Sequence, residues 1–104
     1  MPTRELTEKD KEIIDHLYRL KAEFKDTHAY VTSTAPIQLK RWNGRHPYES
    51  NMKTVTVPAG RTLKIVMISR FEDFGLTDDL SADNGYEVRL PFDSDLIENL
   101  RLTP

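Results

Sequence analysis

Arg61-Thr62-Leu63-Lys64-Ile65-Val66-Met67-Ile68-Ser69 is the stretch on which the fold turns. Leu63, Ile65 and Met67 recur at a spacing of two, and Val66 and Ile68 fill the positions between them. That pattern predicts a strand buried on both faces near the centre of a sheet. Just before it, Pro58-Ala59-Gly60 reads as a tight turn, with proline presetting φ and glycine free to take a positive one. Residues 53–57 alternate Thr with Val and predict a short strand leading into that turn.

Toward the N-terminus the period stays at two as far as residue 29. Residues 29–34 are β-branched and aromatic, and Ile37 and Leu39 alternate with Gln38 and Lys40 beyond Pro36. Further back the period becomes helical. Ile13, Ile14, Leu17, Leu20 and Phe24 form one apolar stripe, which predicts a helix over about residues 8–25. Thr7 is its expected N-cap, and Asp10 stands where a capping box places its reciprocal acid.

On the C-terminal side, residues 71–83 look irregular, with Phe71 and Phe74 expected to plug a barrel and Gly75 to permit the bend. Asp83-Asn84-Gly85 signals a turn, and Tyr86, Val88, Leu90 and Phe92 then alternate as a strand. Pro91 cannot donate to a ladder, so this strand should end there or lie at an edge. It could accept an outside strand, unless residues 100–102 cover it. Residues 93–99 are expected to form one helical turn capped by Asp93.

The fold expected is therefore α+β, an N-terminal amphipathic helix packed on a small antiparallel β-sheet or on a partly closed, SH3-like barrel. The order of strands in residues 53–102 resembles an SH3-type barrel at the level of architecture only. The 104 residues fit one domain, with the helix at about 8–25 and the β-rich part at about 29–102.

Composition narrows the function classes. There is no cysteine, which excludes a disulfide framework, a thiolate zinc site and a cysteine nucleophile. The longest apolar run, residues 65–68, is far too short to span a bilayer, and residues 1–11 lack the apolar run of a secretory signal. A soluble, cytoplasmic protein is the expectation. The net charge of -2 implies no strong whole-molecule attraction to nucleic acid. It is unevenly distributed, however: residues 1–69 carry 12 Lys and Arg against 8 Asp and Glu, and residues 70–104 carry 3 against 9.

One segment gathers binding-type residues. Lys40, Arg41, Trp42, Arg45, His46 and Tyr48 fall within nine positions. They lie largely in a predicted loop, residues 41–52, of about ten residues, longer than most connections. Guanidinium groups pair with carboxylates or phosphates, and Trp and Tyr present flat faces of the kind that dominate binding hot spots. The competing reading packs Trp42 into the core and leaves the cations to solvate its rim.

Other motifs lead nowhere. The acids Glu72, Asp73, Asp78, Asp79 and Asp83 do not match a calcium loop, because counting from Asp79 puts Asn84 sixth and Leu90 twelfth. Asp73-Phe74-Gly75 spells the kinase magnesium triplet with none of its companion motifs. His16, His28 and His46 show no metal spacing, and no nucleophile elbow or phosphate loop appears. These patterns predict a non-catalytic module without cofactor or metal that contacts a protein partner through the basic-aromatic loop. The alternative is a nucleic-acid-binding protein using residues 40–48.

Overall fold

The computed structural model describes residues 5–20, 28–42, 52–81 and 86–103. Helix α1 spans Glu8–Leu20. Residues 21–25 of the predicted helix lie outside the described residues, as does the Asp83-Asn84-Gly85 turn. The capping box forms as its sequence implies. The Asp10 amide donates to the Thr7 hydroxyl at 3.1 Å, and the Thr7 amide donates back to the Asp10 carboxylate at 3.1 Å. Two of the orphan N–H groups at the helix entrance are satisfied in this way.

Among the described residues, seven strands follow: β1 (His28–Ser33), β2 (Ile37–Trp42), β3 (Met52–Val57), β4 (Thr62–Ile68), β5 (Asp73–Thr77), β6 (Val88–Pro91) and β7 (Ile97–Thr103). Five form one antiparallel sheet in the order β6-β5-β4-β1-β7, and β2 pairs with β3 in a separate two-stranded sheet. The sheet is open, with β6 and β7 at its edges, so the alternative of a closing SH3-like barrel gives way to the plain antiparallel sheet.

β4 is the central strand, as its run of apolar residues predicts. Its alternation is broken by a register shift between Ile65 and Met67. The extra residue turns Met67 onto the face of Lys64 and returns Ile68 to the face of Ile65, as the pairs Met67–Gly75 and Ile68–Phe74 show. Residues 71–83 are not uniformly irregular, since Asp73–Thr77 is β5 and is hydrogen-bonded on both sides. Phe74 is fully buried, but Phe71 is 75% exposed and plugs nothing. Gly75 serves close approach instead of a bend. A Cβ there would sit 2.9 Å from the Cβ of both Met67 and Tyr86.

The helical turn expected at residues 93–99 is absent. Short turns lead instead into β7, where Asn99 takes a φ of 56° beside a bulge against β1. Residues 100–102 belong to β7 and lie beside β1, so they do not cover β6.

One apolar cluster joins these parts. Ile13, Ile14 and Leu17 of α1 pack with Ala29, Val31, Leu63, Ile65, Phe74, Leu76, Ile97 and Leu100 of the sheet. Ile37, Leu39 and Val57 bring the inner face of the β2–β3 hairpin into the same cluster. Burying these side chains is the main favourable term, at about 1.5–3 kcal/mol for each large one.

The hairpin is fastened at its root by Ser33. Its amide donates to the Arg61 carbonyl at 2.9 Å, and its hydroxyl donates to the Pro58 carbonyl at 2.8 Å. The same residue accepts from the amides of Gly60 and Arg61. Gly60 has a φ of 87°, the left-handed geometry that its turn requires.

Candidate functional site

Lys40 and Arg41 sit near the end of β2, where side chains alternate between the two faces. Lys40 is exposed, and its amide leaves the hairpin to donate to the Glu87 carbonyl at 2.9 Å. That bond ties the two-stranded sheet to the segment entering β6.

Arg41, one of the expected partner-binding cations, is paired with two acids of the same chain. Its Nε donates to Glu87 Oε2 at 2.6 Å, and its Nη2 donates to Asp78 Oδ1 and, at 3.4 Å, to Glu87 Oε1. The Thr77 hydroxyl also donates to Glu87 Oε1, at 2.6 Å. The Arg41 side chain is 41% exposed, whereas Asp78 and Glu87 are 15% and 12% exposed. Such charge-assisted bonds are the stronger kind.

The pKa values follow. Burial would raise the Glu87 carboxyl, but the hydrogen bonds from Arg41 and Thr77 and the guanidinium charge outweigh it and hold the group below its ordinary value. The hydrogen bond to Glu87 likewise raises Arg41 against the opposing effect of burial. Hydrogen bonds from Ser81 lower Asp79. Burial and the nearby Glu72 charge raise Tyr18, whose hydroxyl donates to the Ser69 carbonyl at 2.8 Å.

The described residues thus bring together two of the six predicted positions and the backbone of a third. Trp42 closes β2 opposite Met52, and its side chain lies outside the described residues. Arg45, His46 and Tyr48 lie wholly outside them. β2 and β3 also continue further than expected, so the intervening connection is residues 43–51.

Sequence reasoning missed Asp78 and Glu87 as partners of Arg41, and Thr77 as a donor to Glu87. The basic and acidic parts of the chain, set apart by their charge balance along the sequence, pair with each other at this point. One weak signal was available, since Glu87 is an acid directly beside the apolar alternation that follows it. Lys53 is a further described cation on the hairpin. It lies on β3 opposite Arg41 and is exposed.

Among the described residues, no group of three or more His, Asp or Glu side chains could hold a metal ion. No described helix is long and apolar enough to cross a membrane. Comparison with family models, with curated proteins and with solved structures finds no match to this chain.

Proposed function

We propose that this chain is a small, non-catalytic binding module that contacts a protein partner through the β2–β3 hairpin. One observation carries the reading. Lys40 and Lys53 are exposed and form no ion pair among the described residues, on a hairpin that Arg41 fastens to the main sheet. Arg41 therefore holds the hairpin in place, and the contact surface consists of its lysines together with the Arg45, His46 and Tyr48 connection. A cytoplasmic setting accords with the lack of cysteine.

The test is site-specific photo-crosslinking in cells, with the reactive group at position 40 or 53 and a control at Glu12 on the exposed side of α1. Discrete adducts from 40 and 53 that are missing from the control are expected. Identical adduct patterns from all three positions reject the reading.

Nucleic-acid binding through the same segment is the second reading, favoured by the same two exposed lysines. It loses the charge of Arg41 to Glu87 and Asp78. It predicts affinity that falls steeply with salt, which filter binding measures.

A further inference from the structure

The outer edge of β3 differs from the other sheet edges. β6 is four residues long, contains Pro91 and presents Arg89. β7 carries Glu98, Arg101 and the bulged Asn99, and α1 packs against it. Short length, proline, charge and bulges are the devices that stop an edge from recruiting another strand. β3 is six residues long, Met-Lys-Thr-Val-Thr-Val, with neither proline nor glycine and one charge. Among the described residues, nothing pairs with its outer side.

Which backbone groups face outward follows from one bond. Lys40 stands directly opposite Thr54, and its amide points away from β3 to the Glu87 carbonyl. In an antiparallel pair, opposed residues either exchange both hydrogen bonds or both point away from each other. Thr54 therefore directs its N–H and C=O outward, and Thr56, two residues on, does the same. The cations at this edge are Lys40, beside Thr54 on one face, and Lys53 on the other.

We infer that the outer edge of β3 receives an extended, acidic segment of a partner protein as an additional strand. Thr54 and Thr56 supply main-chain bonds through one N–H and one C=O each, and Lys40 and Lys53, on opposite faces, attract carboxylates on neighbouring residues of the incoming chain. Charge selects this occupant over a second copy. Two β3 edges laid together would gather four lysines with no described acid of the hairpin to offset them. This inference rests on the reading of the hairpin as a protein-binding element.

The test selects random linear phage-displayed peptides on the full chain and measures the recovered peptides against variants. Thr54→Pro removes an outward N–H while leaving the β2–β3 bonds in place, and circular dichroism checks that it folds. Lys40→Glu combined with Lys53→Glu reverses the edge charge without touching the backbone, so the question remains decidable if the proline variant does not fold. Recovered peptides are expected to carry neighbouring acidic residues within a β-branched stretch and to bind about tenfold more weakly to either variant. Peptides that bind both variants as well as the wild type overturn edge pairing, while the crosslinking result judges the broader reading separately. Recovery of no acidic peptide, with or without binding to an oligo(dT) strand, overturns it. A wild-type dimer in sedimentation that Thr54→Pro dissolves also overturns it, by giving the edge to a second copy.

Discussion

Replacing Arg41 with methionine tests whether this residue holds the hairpin or serves the surface. The substitution keeps most of the aliphatic bulk and removes the cation that Glu87 and Asp78 share. A hydrogen bond to a charged group contributes about 1.5–3 kcal/mol when buried, and an exposed ion pair about 0–1 kcal/mol. Arg41 is 41% exposed and its partners are mostly buried, so the loss should be about 1–2 kcal/mol near neutral pH.

The effect of pH carries more information than the size of the loss. In the wild type, the Glu87 carboxyl lies below its ordinary value. Its stabilising contribution is therefore complete above the unfolded value of about 4.3 and is lost as the pH falls through the lowered folded value. Without Arg41, burial is opposed by the Thr77 hydroxyl and the Asp78 backbone, and the carboxyl should move up. Protonation then relieves the variant, and the gap between the two proteins should narrow as the pH drops from about 7 toward 4. Urea unfolding followed by circular dichroism at several pH values measures this directly. A loss that is the same at every pH, or no loss at neutrality, would refute the role given to Arg41.

Three further outcomes are expected. Gly75→Ala should destabilise by about 1–3 kcal/mol in thermal or urea unfolding, because its methyl meets Met67 and Tyr86 at 2.9 Å; pairing it with Tyr86→Gly should recover part of that loss. Thr7→Ala should cost about 1 kcal/mol, and adding Asp10→Ala should cost less than two independent changes would, since the two residues serve one capping box. Phe74→Ala, which empties the position touching Phe92 at a ring separation of 4.6 Å, should cost about 3–5 kcal/mol, whereas Phe71→Ser at the exposed turn should stay within about 0.5 kcal/mol.

Where the sequence was readable, local physics was enough. Thr7 and Asp10 announce a helix start because both partners lie within one turn, and the stripe through Ile13, Ile14 and Leu17 has only to repeat to be seen. Gly75 misled for the opposite reason. A missing side chain reads as a bend in a linear chain, yet here it makes room for Met67 and Tyr86, neighbours known only once β4, β5 and the approach to β6 lie side by side. The β4 bulge likewise depends on its pairing with β5 and leaves no mark in the alternation of residues 63–68. The candidate site was partly legible. Lys40 reaches solvent as a contact residue should, but the ties of Arg41 to Asp78 and Glu87 span 37 and 46 positions of chain, beyond any motif.

The two fastenings of the hairpin give it the mechanics of a beam fixed at its base and propped partway along. Ser33 clamps the base, and the bond from Lys40 to Glu87 with the neighbouring Arg41 forms the prop. A tug exerted beyond Trp42 and Met52 must pass through that prop before it reaches the main sheet. It arrives at Thr77 and Asp78, at the end of β5, so tension at the tip would be felt there before it reaches the clamp at Ser33.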